Sequence, residues 1–266
     1  ATNILGPTAT QEMINDFNEM HGLDRPYLVQ LVDTFKKLVT FDLGNSYVDN
    51  APVIPALMSR FPITLQVTFW SMLVALIIAI PAGIISAIKP YSTFDYVAMF
   101  FALLGLSIPN FWLGLMLILL FAVKLNLLPS SFDPNNWMTL IMPAIVVGTG
   151  MSASIARMTR SSMLEVKNSD YILTARAKGL PERKVVLKHI LGNAMIPIVT
   201  TVGMSFGGLM GGASVTEKVF NINGLGSFIV DKQFIPDVPI VLGGVVYISF
   251  VVSLMNLLVD ILYAVI

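Results

Sequence analysis

Residues able to carry covalent chemistry are few in this chain, and none stands in a catalytic arrangement. The 266 residues include no cysteine and two histidines, His21 and His189. That removes disulfides, thiolate zinc sites, iron–sulfur clusters and cysteine nucleophiles, and it argues against a histidine-based metal site. No G-x-x-x-x-G-K-[ST] phosphate loop, H-E-x-x-H zinc helix or G-x-S-x-G nucleophile elbow occurs. The one acid placed in a predicted span is Asp260, at the inner end of the last, just past its charge-free stretch. An intramembrane aspartyl protease needs two paired acids, and an ion-coupled secondary transporter usually carries buried charges as relay or gate. If the protein moves solutes uphill, the energy comes from another chain.

What the sequence supports instead is mechanical work through a short basic segment. Asn168, Ser169 and Asp170 supply N-cap candidates and a first-turn acid. Tyr171, Ile172, Leu173, Thr174, Ala175, Arg176, Ala177 and Lys178 follow with helix-forming character and bases in the last turn. Gly179 is a left-handed stop and Pro181 forbids continuation. A helix of about ten residues is not stable alone in water, so it is expected to pack on something. Small Ala175 and Gly179 permit close approach, and Tyr171, Ile172, Leu173 and Leu180 offer apolar grip. A solvated basic loop resting on anionic lipid headgroups is the equally weighted alternative.

Two further regions attract attention. Gly203, Gly207 and Gly211 lie four apart, with Gly208 and Gly212 beside them. This small-residue ridge reads as close helix packing, or as the lining of a wide path along which Asn110 is a further candidate. The segment from Glu217 to Asp237 contains Phe220, Asn223, Gly224, Leu225 and Gly226, whose paired glycines predict a tight turn. Phe228, Ile229 and Phe234 make it unusually apolar for a free loop. It is expected to lie at the membrane interface or to form a re-entrant element that receives an external partner.

The elements that must position these residues follow from composition. Apolar residues make up 55% of the chain and charged residues 12%, about half the roughly 25% of a soluble domain. Mean hydropathy is +0.78. Net charge is zero, so no basic field exists to draw nucleic acid. Five stretches of at least 22 residues lack Asp, Glu, Lys and Arg: Phe61–Ile88, Tyr96–Val123, Pro134–Ala156, His189–Thr216 and Val238–Val259. A membrane-spanning helix needs about 20 apolar residues, and an unpaired strand cannot cross lipid. The spacing therefore predicts five helical spans, with kinks or backbone irregularity at Pro81, Pro109, Pro143 and Pro197.

Eight of the 16 bases lie between Arg157 and Lys188, against three acids, Glu165, Asp170 and Glu182. The positive-inside rule puts this loop, within residues 157–193, in the cytoplasm. Alternation places residues 1–60 outside and the C-terminus inside. Residues 1–60 read as a small helical cap on the outer surface, followed by a transmembrane domain over residues 61–266. Thr8 and Gln11 have capping-box spacing, with Met13, Phe17 and Met20 on one face ending at Gly22. Pro26 opens a second helix with Leu28, Leu31, Val32, Phe35, Leu38 and Val39 as its apolar stripe. An exported N-terminal segment needs a preceding membrane helix, so a sixth is expected upstream of Ala1.

These residues resemble a known family. "DYILTARAKGLPERKVVLKHILGNAMIPIVT" is similar to the cytoplasmic loop of membrane permeases from binding-protein-dependent ABC importers, most closely the oligopeptide, dipeptide and nickel branch. The likeness continues through "GGLMGGASVTEKVFNINGLG" and "NLLVDILYAVI", and upstream through "IPAGIISAIKPYSTFDY", "GLSIPNFWLG", "HGLDRPYLVQ" and "FDLGNSY", so it covers nearly the whole chain. The resemblance implies an all-α, type I importer-like permease bundle in a bacterial inner membrane, whose loop helix couples to a cytoplasmic ATPase. Leu173, Thr174 and Ala175 stand at the broader family's Glu-Ala-Ala signature and Gly179 at its following glycine, while Gly192 and Asn223 replace family prolines. The implied partners are a second homologous permease, two ATPase subunits holding ATP and magnesium, an extracytoplasmic binding protein and membrane lipid, with no cofactor in this chain. Peptide is the favoured cargo, a nickel or metal chelate the nearest alternative. An ion-coupled transporter and an intramembrane hydrolase are disfavoured.

Overall fold

A computed structural model describes residues 2–263. The described residues form helices joined by short connections, with one isolated antiparallel bridge between Asn45 and Pro52. The N-terminal cap comprises α1 (Thr2–Leu5), α2 (Gln11–His21), α3 (Tyr27–Val39) and α4 (Val53–Met58). The spans follow as α5 (Phe61–Ile88), then α6 (Thr93–Ser107) with α7 (Asn110–Leu117), then α8 (Ile141–Lys167). The basic loop holds α9 (Asp170–Ala177) and α10 (Glu182–Lys184), and α11 (Leu191–Gly212) continues from it. At the opposite end α12 (Ser214–Val219) and α13 (Leu225–Phe234) lead into α14 (Val238–Tyr263).

Among the described residues, four helical units are long and apolar enough to cross a membrane, and α6 with the helix from Asn110 makes a fifth only as a pair bent by 97°. The irregularity expected at Pro109 is thus a full break of the second span. The break sits at Pro109, whose ring pushes Ile108 into extended backbone (φ −80°, ψ 122°), with Pro109 itself at ψ 131°. The other prolines break nothing: α5 runs through Pro81, α11 through Pro197, and Pro143 falls in the first turn of α8. Only Pro109 has extended backbone on both sides of the missing donor.

The frame of the bundle is the pairing of α5 with α8. A Cβ on Gly148 would lie 2.6 Å from the Ser71 carbonyl oxygen, and one on Gly83 would lie 2.6 Å from Thr159 Cβ. Backbone contact this close needs glycine, and between helices solvated by lipid such packing replaces the hydrophobic drive. Met72, Ala75 and Ala79 of α5 meet Ile155 and Ala156 of α8 in the buried strip between the two glycine contacts. On the glycine ridge of α11, Gly203 faces Val259, where a Cβ would come within 2.2 Å, and Gly207 faces Val252 and Asn256. Those two glycines bring α11 onto α14. Gly208 faces open space. The burial of Gly211 lies outside the described residues.

In the cap, Thr10 rather than Thr8 closes the first turn of α2, its hydroxyl accepting the Met13 N–H at 3.4 Å. Phe17 is buried, while Met13 and Met20 remain exposed. Gly22 ends the helix in the left-handed region. Leu28, Leu31, Val32, Phe35 and Val39 of α3 are exposed, so the predicted stripe exists but this chain leaves it uncovered.

Gly148→Val should prevent α5 and α8 from closing, an overpacking cost of about 1–3 kcal/mol. Gly208→Ala should be tolerated. Size-exclusion profiles and thermal unfolding of the detergent-solubilised protein check the contrast, and equal stability of the two variants would contradict this role for Gly148.

Candidate functional site

The loop helix α9 is built as its sequence predicts. Ser169 stands at the N-cap in extended backbone, although its hydroxyl donates back to the Val166 carbonyl instead of capping α9. At the other end Gly179 adopts φ +73°. The Gly179 N–H donates to the Arg176 carbonyl at 2.9 Å and the Leu180 N–H to the Ala175 carbonyl at 3.4 Å. That is a Schellman closure, with the left-handed glycine carrying the reversal.

The two faces of α9 differ in surroundings. Ile172 is fully buried and packs with Ala87 of α5, Met163 of α8, and Val185, Val186, Ile190, Ala194 and Ile198 leading into α11. Leu180 joins the rim of that cluster. Ala175 is also buried. The small Ala175 side chain permits close approach, and the surface it approaches is the bundle on which α9 sits. Asp170, Tyr171, Leu173, Thr174, Lys178 and Gly179 are exposed, with Tyr171 at 45% and Leu173 at 58%. Arg176 is half-buried and forms a two-pronged pair with Glu182, Nη2 to Oε1 at 2.8 Å and Nε to Oε2 at 3.2 Å. The helix thus has an apolar anchor seated in three spans and an outward face with two large exposed side chains.

The opposite end is organised by Glu217, a residue that sequence alone does not single out within the apolar segment from Glu217 to Asp237. Its carboxylate is fully buried. Oε1 accepts the Thr64 hydroxyl at 2.7 Å and Oε2 accepts the Ser227 N–H at 2.7 Å. Thr64 in turn accepts the Leu225 N–H at 2.7 Å. Burial raises the Glu217 carboxyl above the usual carboxylate range, opposed by the Ser227 amide and the Thr64 hydroxyl. The glycines serve this group. A Cβ on Gly224 would lie 2.3 Å from Glu217 Oε1, and one on Gly226 would lie 3.2 Å from Oε2. Neither has positive φ, and the left-handed residue of the turn is Asn221.

This packing corrects the reading of Phe220, Gly224, Leu225 and Gly226 as an outward docking surface. All four are buried, Phe220 against Val67, Met142 and Val146 and Leu225 against Val53 and Leu57. Asn223 faces outward. The segment is a folded helical pair inserted among α4, α5 and α14. A second buried acid pins the cap to it: Asp237 accepts the Ser46 hydroxyl at 2.6 Å and the Tyr47 N–H at 3.0 Å, with Lys232 Nζ 3.6 Å away. Arg60 lies 3.7 Å from the centroid of the Phe228 ring. A Glu one turn before an N-x-x-G-L-G segment was the available signal for this site. Asn110, at the start of α7, is exposed beside the Pro109 break, and its Oδ1 faces Gly150 of α8.

Glu217→Ala should orphan the Ser227 N–H and free the Thr64 hydroxyl, each unsatisfied buried group costing about 1–3 kcal/mol. Thermal unfolding of the purified membrane protein should show a clear drop for this variant and a smaller one for Glu217→Gln. An unchanged midpoint for Glu217→Ala would remove the carboxylate from its organising role.

Comparison with known proteins agrees with this architecture. The family described as "Binding-protein-dependent transport system inner membrane component" matches residues 79–266. The Dipeptide transport system permease protein DppB of Alkalihalophilus pseudofirmus is 40% identical, over 99% of this chain and 87% of that protein. The Glutathione transport system permease protein GsiC of Escherichia coli (strain K12) is 42% identical over 98% of this chain and 85% of its own. The Oligopeptide transport system permease protein AppB of Bacillus subtilis is 39% identical over 100% and 87%. Among solved structures, the inward-facing MetNI methionine ABC transporter has a chain that matches with a TM-score of 0.66 at 22% identity, covering 80% of this chain and 97% of that one. That likeness concerns the fold. The chain is therefore a multi-pass membrane protein that belongs to the inner-membrane permease family of binding-protein-dependent ABC importers.

Proposed function

We propose that this chain forms half of the translocation path of an ATP-driven importer for peptides, delivered by an extracytoplasmic binding protein. The observation that carries the reading is α9: a capped helix anchored by Ile172 in a core shared by α5, α8 and α11, with Tyr171 and Leu173 turned outward. Such a helix has the form of a lever that a partner grips on one side. Peptide cargo rests on relatives named for dipeptide, oligopeptide and glutathione transport at 39–42% identity. The bases between Arg157 and Lys188 support a cytoplasmic position for α9 and for the C-terminus.

Two cytoplasmic ATPase subunits are the proposed source of displacement, with ATP and magnesium bound there and no cofactor in this chain. Their closure would push on the outward face of α9. Ile172 and Ala175 would transmit the push to the spans on which α9 sits. A homologous second permease would supply the other wall of the path. The broken span supports the location of that path, because irregular backbone at membrane depth is tolerated only where protein or an aqueous cavity covers it. Asn110 beside the break and open Gly208 are the proposed lining, and Asn223 the exposed contact for the binding protein.

Leu173→Asp should abolish ATP-dependent peptide uptake by the reconstituted importer while the permease pair still assembles. Covering a leucine side chain fully against a partner contributes about 1.5–3 kcal/mol. Ile172→Asp should instead reduce recovery of folded protein. Wild-type uptake by Leu173→Asp would show that this face does not dock the ATPase.

A further inference from the structure

We infer that Asp95 and Arg160 form a clamp that carries the displacement of α9 to spans the lever helix does not join in sequence. This rests on the importer reading and deepens it, adding two positioning residues to the coupling path.

Asp95 lies in the first turn of α6 and is 2% exposed. Arg160 reaches it from α8 with two parallel bonds, Nε to Oδ1 at 2.7 Å and Nη2 to Oδ2 at 2.7 Å. The Tyr91 N–H donates to the same carboxylate at 2.9 Å, from a residue held at φ +62°. Seven residues further along α8, Lys167 Nζ donates to the Ala87 and Ile88 carbonyls at 3.1 and 3.0 Å, capping the end of α5. The turn between α5 and α6 is therefore bound to α8 on both sides, by Lys167 at its start and Arg160 at its end.

α8 runs from these contacts through Asn168 and Ser169 directly into α9. Any push on α9 moves the last two turns of α8, and those turns hold α5 and α6 by charged, geometrically fixed bonds. A bidentate guanidinium–carboxylate pair resists both sliding and rotation, which a single-point contact does not. Burial makes the pair costly to break on one side. α6 leads on to the Pro109 break, so the clamp links the lever to the irregular part of the proposed path. A role in fold maintenance alone would leave the number of peptides moved per ATP unaltered in whatever complex assembles.

The test uses the complete importer in proteoliposomes: both permeases, the ATPases and the binding protein. The readout is peptide transported per ATP hydrolysed, normalised to assembled complex. Asp95→Asn should lower this ratio by about fivefold or more while ATP hydrolysis continues, and the exchanged pair Asp95→Arg with Arg160→Asp should recover part of it. Arg160→Lys, which keeps the charge and loses the fork, should fall between, and it serves as the reading if Asp95→Asn does not assemble. A wild-type ratio in Asp95→Asn, or in Arg160→Lys where that variant is the reading, overturns the clamp. Loss of coupling in Leu173→Asp with a wild-type ratio in the clamp variants leaves the importer reading standing and removes the clamp alone. Absence of binding-protein- and ATP-dependent uptake in the wild-type complex removes both.

Discussion

Contact between α5 and α8 at glycine distance is the constraint on which the other elements depend. Gly83 and Gly148 leave no room for a Cβ, so the two backbones set each other's position without long side chains between them. In lipid this matters more than it would in water, because apolar side chains gain nothing by leaving hydrocarbon for a protein neighbour. α8 presents its other sides to α6, α7 and α11, and α11 in turn receives α14 through Gly203 and Gly207. The bundle is thus a set of helices arranged around one close pair.

Charge is handled at the two ends of this frame, and each end uses a buried carboxylate differently. At the basic end Asp95 is paired with a cation and fixes one helix to another. At the opposite end the Glu217 carboxyl accepts a hydroxyl and a backbone N–H, and it serves as a template around which two short helices and the turn between them fold. A buried carboxyl with several fixed donors gives a loop one shape. The N-terminal cap is tied on in the same manner through Asp237. The interior between the ends is left to small and apolar side chains.

Helix α9 shows why a short motif is only half legible. Its termini were readable, since Gly179 and Pro181 punish continuation of any helix. Its faces were not. Eight residues with little amphipathicity give no stripe, and Ala175 proved to face inward with Ile172. The glycines near Asn223 were read for backbone freedom, yet Gly224 serves close approach to Glu217 and the left-handed position belongs to Asn221. Four prolines predicted irregularity and one produced a break, at Pro109, where the preceding Ile108 and the proline itself both take extended backbone.

The sequence by itself determined the apolar spans, the basic end and the stop of α9. Those are properties of composition and local backbone, and each is decided within a few residues. Tertiary structure decided which face of each helix is buried, which glycines are contacts, and that Asp95, Glu217 and Asp237 find partners up to 191 residues away. Periodicity fixes how side chains are arranged around a helix axis. Only the neighbouring helices fix which of those directions is the inside.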